Sequence, residues 1–364
     1  MEMANEKKEL TELRAEIIKL DDAIVELLDA RANVSQRIGE VKRQLGLSLI
    51  DHVREQVVYE HATSHPQILS KSQVHAIYKE IIAACRAIQT GKKRISTLGP
   101  PGTFAEQAAK VFFSEAEAEF YMVDNIPTIF RQVVGGEVEY GVVPVENTTH
   151  GSVPATLDLL LETDLIVSGE IILRVRHNLI ALKKMPFSEI KTLLSHEQAI
   201  GQCRQFIDEN LPEAEIIETK STTQAVELLS EYPDAAAIST EMAAELYSRE
   251  ILARGIEDNP NNYTRFFVIG HQDATPTGND KTSIVFSVRH APGTLLEALK
   301  AFSSRDINLT KLESRPSRLT PWEYYFYTDF EGHLSEPNVQ EALKALKENT
   351  LYIKVLGSYP KFSE

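Results

Sequence analysis

The first 45 residues carry an apolar repeat that constrains the fold more strongly than any other feature of the chain. Its spacings of three and four residues are the heptad pattern of a long α-helix that packs along one seam. The seam comprises Leu10, Leu13, Ile17, Leu20, Ile24, Leu27, Val34, Ile38, Val41 and Leu45. Arg31 occupies a seam position that should be apolar. Because an unpartnered buried guanidinium is costly, Arg31 is predicted to bind an anion, to form an ion pair, or to set the register of a coiled coil.

Two other cations on this helix lie at different angles from Arg31. At about 100° per residue, Lys42 is about 20° from Arg31, whereas Arg14 is about 100° away. Arg31 and Lys42 can therefore serve one site, and Arg14 is predicted to serve another, in a partner subunit. A seam of this length also predicts an intertwined dimer that covers it.

Two shorter helices are predicted after the long one. The first begins near position 48, and the side chains that share one of its faces are Asp51, Arg54 and Glu55. The second covers residues 71–89 and places Cys85 and Gln89 one turn apart. Gly91 is its predicted C-terminal stop.

Composition limits the classes of function. The 364-residue chain has a net charge of −15, which argues against nucleic acid and anionic membranes as partners. No apolar run approaches the ~20 residues that span a bilayer, and the charged first ten residues predict no secretory signal. Two cysteines without a CxxC motif indicate a reducing cytoplasm rather than a disulfide framework. Ten scattered histidines predict no metal site.

Three segments with different patterns predict three domains. Residues 1–91 are all helical, residues 94–270 alternate strand and helix, and residues 281–360 follow a βαββαβ pattern. The polar, turn-rich stretch 271–280 is predicted to be a linker. Taken alone, a βαββαβ unit of this kind is most simply a dimerisation domain.

The densest polar cluster of the chain is in GVVPVENTTHGSV, residues 141–153. An apolar strand is predicted to stop at Pro144, and the polar residues that follow are Glu146, Asn147, Thr148, Thr149 and His150. Polar groups at a strand end usually line a crevice, and this mixture of donors and acceptors suits a small polar substrate. The alternative is an ordinary turn and N-cap before the apolar run 157–161.

Three other stretches also place polar groups at the end or start of an apolar strand. Residues 95–104 end in GPPGTF, whose backbone N–H groups at Gly102 and Thr103 can hold a carboxylate. This turn is not GxGxxG, so no dinucleotide is expected. The other two stretches are SHEQ, with His196 and Gln198, and TRF, residues 264–266.

The helical segment resembles the all-helical chorismate mutases, which rearrange chorismate to prephenate. The matching residues are Arg14, Arg31, Lys42, Asp51, Arg54, Glu55 and Gln89. The resemblance implies that the three arginines bind carboxylates, with Arg14 supplied by the other subunit. It implies that Lys42 and Gln89 contact the ether oxygen and that Asp51 and Glu55 contact the hydroxyl end. A pericyclic step needs only a compact conformer and positive charge at that oxygen.

The central segment resembles the prephenate dehydratases, because GPPGTF, ENTT, SHEQ and TRF occur in that family's order. The resemblance implies two α/β lobes, similar to type II periplasmic binding proteins, with the site in the cleft. The reaction is loss of water and carbon dioxide from prephenate, which gives phenylpyruvate. Thr264 is the implied proton donor to the leaving hydroxide. The implied substrate-binding residues are Gly102, Thr103, Glu146, Asn147, Thr148, His196, Gln198, Arg265 and Phe266.

The C-terminal segment resembles the ferredoxin-like ACT domains attached to such dehydratases. The resemblance implies allosteric phenylalanine binding at Pro292, Gly293, Thr294, Leu295, Glu313, Ser314, Arg315 and Pro316. The whole chain is thus similar to bifunctional chorismate mutase/prephenate dehydratases of phenylalanine biosynthesis. This implies a cytoplasmic homodimer or homotetramer that needs no cofactor or metal. Two alternatives stay open, namely a helical domain that only dimerises and a pair of lobes that binds a small acid without turnover.

Overall fold

The computed structural model describes residues 2–47, 52–64, 68–317 and 323–362, with the side chains of residues 2–6, 52 and 53 left undescribed. The chain divides into two units. The first contains residues 1–93 together with the segment 113–119, and the second contains residues 94–112 and 120–364. None of the helices in the described part of the chain combines the length and apolar character needed to cross a bilayer.

The first unit is built from three helices, as its sequence pattern predicts. They are α1 (Glu2–Gln44), α2 (His52–Ala62) and α3 (Lys71–Thr90). Ser70 caps α3 in a capping box with Gln73, because each side chain accepts the other residue's backbone N–H. Gly91 ends α3 at φ +80°, a conformation that favours glycine, so the predicted stop is confirmed.

The second unit contains two α/β lobes and a C-terminal α+β sheet. The first lobe comprises β1 (Lys93–Leu98), α4 (Phe104–Phe112), β2 (Ala118–Val123), α5 (Ile126–Val134), β3 (Tyr140–Asn147), β4 (Gly151–Ser152), α6 (Pro154–Glu162) and β5 (Ile166–Arg174). The second lobe comprises β6 (Asn178–Ala181), β7 (Thr192–Ser195), α7 (Glu197–Gln202), α8 (Arg204–Asn210), β8 (Glu215–Glu218), α9 (Thr222–Leu228), β9 (Ala235–Ser239), α10 (Glu241–Leu246) and β10 (Glu250–Arg254).

The chain returns from the second lobe to the first through β11 (Tyr263–Gly270). This strand lies antiparallel between β3 and β5, in a sheet of order β2-β1-β3-β11-β5 with β4 paired to β3. The second lobe has the order β10-β6-β9-β7-β8. The chain therefore crosses between lobes twice, after β5 and before β11, and the predicted two-lobed α/β fold is confirmed.

Strand β3 does not stop at Pro144 as the sequence pattern predicts, but continues to Asn147. A proline lacks the N–H that a ladder needs. Here the pairing with β11 shifts register next to Pro144, between Arg265 and Phe266, so the strand accommodates the proline and pairing resumes beyond it. The extra residues carry Glu146 and Asn147 into the sheet.

The C-terminal sheet has the predicted βαββαβ order. Its elements are β12 (Asp280–Ser287), α11 (Thr294–Ser303), β13 (Leu309–Pro316), β14 (Tyr324–Glu331), α12 (Pro337–Glu348) and β15 (Tyr352–Pro360), with strand order β13-β14-β12-β15. One face packs under α11 and α12, and the other shares a core with the first lobe. Gly357 of β15 lies against the backbone of Val167 in β5. A Cβ at this position would clash with the Val167 carbonyl oxygen, so only glycine fits there.

Candidate active sites

The helical unit contains a cavity of about 140 Å³ between its three helices. Its lining brings together the predicted residues Arg31, Lys42, Arg54, Glu55 and Gln89 with Ser35, Ile38, Val58, Ile82, Cys85 and Arg86. Four residues of α1 reach the cavity at positions 31, 35, 38 and 42, which is the helical spacing that puts them on one face. The interruption of the apolar seam thus coincides with a polar cavity.

Short hydrogen bonds orient two of the predicted side chains. The guanidinium of Arg31 donates to Cys85 Sγ at 2.8 Å. The amide of Gln89 donates to the Ser35 hydroxyl at 2.7 Å and to the Ser35 carbonyl at 2.8 Å. The Gln89 side chain is therefore held against α1, at the cavity wall.

Arg86 is a cavity residue that sequence reasoning missed. Its guanidinium forms ion pairs with Glu55 at 2.9 Å and with Glu117, from the segment 113–119 of the same unit, at 2.7 Å. Burial disfavours the charged guanidinium, but the two carboxylates outweigh it and raise the pKa of Arg86. The sequence feature that could have indicated a cavity position for Arg86 is its place on α3, three residues before Gln89.

Arg14 is absent from the described lining of this cavity. Arg14 lies on α1 seventeen residues before Arg31, which at the helical rise is about 25 Å away, so both cannot line one cavity of the same chain. Asp51 lies outside the described residues. Its predicted role stays a prediction.

A second polar pocket, of about 120 Å³, lies between the two lobes of the second unit. Its lining contains the predicted residues Asn147, His196, Gln198 and Thr264, together with Phe104, Val175, His177, Ala199, Gln202 and Thr222. His196 is also the N-cap of α7 and accepts the Gln198 backbone N–H at 3.2 Å. The structure therefore joins three of the four sequence motifs through their polar side chains, and the fourth through Phe104 of GPPGTF.

Asn147 fixes the hydrogen bonding of Thr264. Its Oδ1 accepts the backbone N–H groups of Thr149 at 2.9 Å and His150 at 3.1 Å. Because those groups can only donate, the amide nitrogen must face the other way, and it donates to Thr264 Oγ1 at 2.9 Å. A Thr hydroxyl that accepts this bond retains its own proton for donation.

A chain of polar contacts continues from Asn147 into the pocket wall. Nδ1 of His150 lies 3.2 Å from Gln198 Nε2 and 3.4 Å from Gln202 Nε2, and Gln202 Oε1 lies 2.8 Å from His177 Nε2. Nδ1 of His177 is buried and has no hydrogen-bond partner within the described part of the chain. Burial lowers the pKa of His177, so its imidazole is neutral near pH 7.

A third cavity, of about 310 Å³, lies beside the N-terminus of α11 in the C-terminal sheet. The predicted residues Gly293, Thr294 and Leu295 line it, together with Val288, Arg289, His290, Ala291, Leu296, Glu323, Tyr324 and Phe326. Gly293 has φ +84° at the start of the helix, and Thr294 Oγ1 donates to the Arg289 carbonyl at 2.7 Å. The turn is therefore held closed around one end of this cavity.

Comparison with known proteins identifies the family. The chain matches the family models for chorismate mutase type II over residues 13–90, prephenate dehydratase over residues 95–274 and the ACT domain over residues 282–348. It is 42% identical to the bifunctional chorismate mutase/prephenate dehydratase of Aquifex aeolicus, across 97% of this chain and 98% of the relative. The chain belongs to the bifunctional chorismate mutase/prephenate dehydratase family. Its activities are chorismate mutase and prephenate dehydratase, which belong to aromatic amino acid biosynthesis.

Other relatives agree with this family. The bifunctional chorismate mutase/prephenate dehydratase of Pseudomonas aeruginosa is 38% identical over 98% of this chain and 99% of its own. Among solved structures, the prephenate dehydratase of Arthrobacter aurescens in complex with L-Phe is 34% identical. It covers 74% of this chain and 90% of its own, with a TM-score of 0.68. The inter-lobe pocket is thus in the dehydratase domain and the third cavity is in the ACT domain.

Glu146 and Arg265 lie away from the dehydratase pocket, contrary to the prediction that they bind substrate. Side chains alternate between the faces of a strand, so the neighbours of Asn147 and Thr264 point to the opposite face. There Glu146 pairs with Lys311 at 2.9 Å, and Arg265 pairs with Glu170 at 2.8 Å. The next residue of the motif, Phe266, is buried and absent from the pocket lining.

Gly102, Thr103 and Thr148 are also absent from the described lining of the dehydratase pocket. The Gly102 N–H donates to Glu106 at 2.6 Å, and its carbonyl accepts from Thr240, so this loop packs against α10 instead of presenting donors. The Thr103 hydroxyl donates to the Leu98 carbonyl. Thr148 begins a turn after β3, and its hydroxyl accepts the Tyr263 backbone N–H at 3.0 Å. The predicted N-cap is wrong, because Val153 precedes α6 without a side-chain cap.

The second predicted effector motif, residues 313–316, is divided between the two faces of β13. Glu313 and Arg315 face the first lobe, where Glu313 contacts Ser152 and Arg315 pairs with Asp158 at 3.3 Å. Ser314 and Pro316 are exposed and pair across the ladder with residues 326 and 324, which line the ACT cavity. Only alternate residues of this motif therefore lie on the cavity side.

Proposed function

We propose that the cavity of the helical unit is the mutase site and that the inter-lobe pocket is the dehydratase site. The observation that carries the second assignment is the Asn147–Thr264 hydrogen bond at the pocket wall. The first assignment rests on the collection of four cations, one carboxylate and one amide around a single cavity. One of the cations, Arg86, pairs with that carboxylate, and the remaining three suit a dicarboxylate.

In the mutase site, Arg31 and Arg54 bind the carboxylates of chorismate. Lys42 and Gln89 stabilise the negative charge that develops on the ether oxygen, and Glu55, held by Arg86, contacts the hydroxyl end together with Asp51. The rearrangement requires neither an acid nor a nucleophile, so fixed charges and a compact bound conformer are sufficient.

The mutase site is completed by a second copy of the chain, which makes the protein a homodimer or a higher assembly. The seam of α1 supports this proposal, since its apolar side chains from Leu10 to Leu45 are exposed in the single chain. In an intertwined dimer, Arg14 of one α1 reaches the cavity of the other subunit.

In the dehydratase site, Thr264 donates its proton to the hydroxide that leaves prephenate, while carbon dioxide departs and the ring becomes aromatic. Asn147 orients the Thr264 hydroxyl so that its proton faces the substrate. Polar side chains of the pocket, among them Gln198, Gln202 and His196, hold the polar groups of prephenate, since no Lys or Arg is in the described lining.

The ACT cavity binds L-phenylalanine, which inhibits the dehydratase. This proposal is supported by the predicted residues at its wall and by the similar Arthrobacter aurescens enzyme, which was solved in complex with L-Phe.

Proposed domain limits are 1–91, 94–270 and 281–360, close to the three matched ranges. A cytoplasmic location is proposed from the composition and the biosynthetic role.

The test is Thr264→Val, which keeps the shape and removes the hydroxyl. Prephenate turnover should fall by roughly 10²- to 10⁴-fold, the usual contribution of a positioned proton donor. Chorismate disappearance should be unchanged, and Thr264→Ser should retain most of the turnover. If the Val variant turns over prephenate normally, Thr264 is not the donor, and if both activities fall together, the assignment of two separate sites is wrong.

A further inference from the structure

Strands β3 and β11 present two residue pairs to opposite faces of the dehydratase sheet. In the antiparallel register, Thr264 pairs with Asn147 and Arg265 pairs with Glu146. The first pair lies at the substrate pocket. The second pair, one residue along each strand, points away from the pocket toward the ACT sheet.

The ACT sheet meets the second pair with a matching pair of its own. Lys311 and Asp329 are cross-strand partners on β13 and β14. Lys311 Nζ lies 2.9 Å from a Glu146 carboxylate oxygen, and Asp329 forms an ion pair with the Arg265 guanidinium. Two ladders therefore face each other with complementary charges. We name Glu146, Arg265, Lys311 and Asp329 the charge quartet.

The Arg265–Asp329 half of the charge quartet is nearly dry, whereas the Glu146 side chain that Lys311 contacts is 37% exposed. The Arg265 side chain is 12% exposed, and that of Asp329 is 7% exposed. Arg265 also pairs with the fully buried Glu170 and donates to the Tyr359 hydroxyl at 2.9 Å. Removing Asp329 would leave the mostly buried Arg265 without one of its partners, and removing Lys311 would remove the ion pair that holds Glu146, so we expect the ladder that carries Thr264 to shift.

Lys311 also connects the quartet to the second effector motif. Its Nζ lies 3.2 Å from a Glu313 carboxylate oxygen and 3.1 Å from the Ser152 hydroxyl. Ser152 is itself the ladder partner of Glu146 in β4. A shift of β13 on effector binding would therefore move the groups that hold Glu146, one residue from Asn147.

We propose that Lys311 and Asp329 of the ACT sheet are positioning residues for the dehydratase reaction. Their ion pairs hold Glu146 and Arg265 on the face of the sheet opposite the pocket and thereby set the distance between Asn147 and Thr264. Phenylalanine inhibits the dehydratase by changing these ion pairs. The inference rests on the proposed dehydratase site and effector cavity, and it assigns their coupling to four named charges.

The decisive variant is Lys311→Met in the full chain, assayed with prephenate and varied phenylalanine. We expect kcat to fall on the order of 10- to 100-fold, as for a small misplacement of a catalytic group, with KM nearly unchanged. Inhibition by phenylalanine should be lost, although calorimetry should still detect its binding. Lys311→Arg should restore both properties. Asp329→Asn keeps the side-chain shape and should behave like Lys311→Met. It provides the same test if Lys311→Met does not fold.

The matched control is Lys354→Met. Lys354 also donates from the ACT sheet to the first lobe, to the carbonyls of Leu160, Leu161 and Thr163, and among the described residues it has no hydrogen bond to β3 or β11. The Lys354→Met variant should keep kcat and inhibition by phenylalanine near the wild-type values. Normal kcat and inhibition in both Lys311→Met and Asp329→Asn, or an equal loss in Lys354→Met, would overturn the inference. Absence of prephenate turnover in the wild type would instead contradict the proposed function.

Discussion

At the residue scale, polar side chains at the inter-lobe pocket are held by hydrogen bonds to one another. Asn147 uses both ends of its amide, and Gln202 links His150 to His177. His177 is 2% exposed, and its Nδ1 has no partner within the described residues. A buried neutral imidazole of this kind should leave a signature in the pH dependence of stability.

The folded state binds a proton at His177 less readily than the unfolded chain does, because burial lowers its pKa and the nearby Gln202 and Glu257 only partly oppose this. The stabilising contribution is therefore present above the unfolded pKa of 6.5 and is lost as the pH falls through the lowered folded pKa. In His177→Gln, the drop in unfolding temperature between about pH 7.5 and about pH 5.5 should be smaller than in the wild type.

Thermal unfolding of both proteins at the two pH values checks this prediction. His290→Gln is the control, since it removes an exposed histidine of the same unit. An identical pH-dependent drop in His177→Gln and the wild type would contradict the prediction.

At the scale of elements, helix α1 has one face that the single chain leaves uncovered. Its apolar seam residues are half to two-thirds exposed, and Leu27 reaches 71%. Contiguous apolar surface patches of this length mark interfaces. The proposed dimer would bury this face and deliver Arg14 to the second mutase cavity.

Leu27→Glu should therefore separate the subunits of the helical domain, because it places a charge in the proposed seam. Sedimentation should show a lower assembly state, and chorismate turnover should fall by at least about tenfold because Arg14 no longer reaches its site. Ile68→Glu, at a residue that is 97% exposed and outside the seam, should change neither property. An unchanged assembly state with normal mutase activity in Leu27→Glu would contradict the proposed dimer.

At the scale of the whole molecule, the two proposed catalytic sites lie in different units of the chain and share no residues. Each activity should therefore be removable without the other. This separation also tests the alternative in which the helical domain only dimerises.

Lys42→Met should lower chorismate turnover by roughly 10²- to 10³-fold, since it removes the positive charge that is proposed to stabilise the ether oxygen. Prephenate added directly should still give phenylpyruvate at the wild-type rate, with the same sensitivity to phenylalanine. Lys19→Met, on the same helix but outside the cavity, is the control. If Lys42→Met rearranges chorismate normally, or the wild type does not rearrange it at all, Lys42 has no catalytic role.

The sequence by itself determined the elements and the motifs. The heptad spacing predicts α1, Gly91 ends α3, and the βαββαβ pattern of residues 281–360 is correct throughout, because these signals depend on neighbours within a few turns or strands. The motif residues Asn147, His196, Gln198 and Thr264 were also predictable, since each lies at the end or start of a recognisable strand.

Only the tertiary structure decided which side chains of a motif share a face and what each one contacts. Arg265 and Glu146 look like substrate ligands in the sequence, yet strand alternation directs them to the ACT sheet. Arg86 and His177 gave no motif signal, because their importance comes from Glu117 and Gln202, which are distant in the chain. Periodicity is a local property, whereas ion pairing and burial depend on elements that only folding brings together.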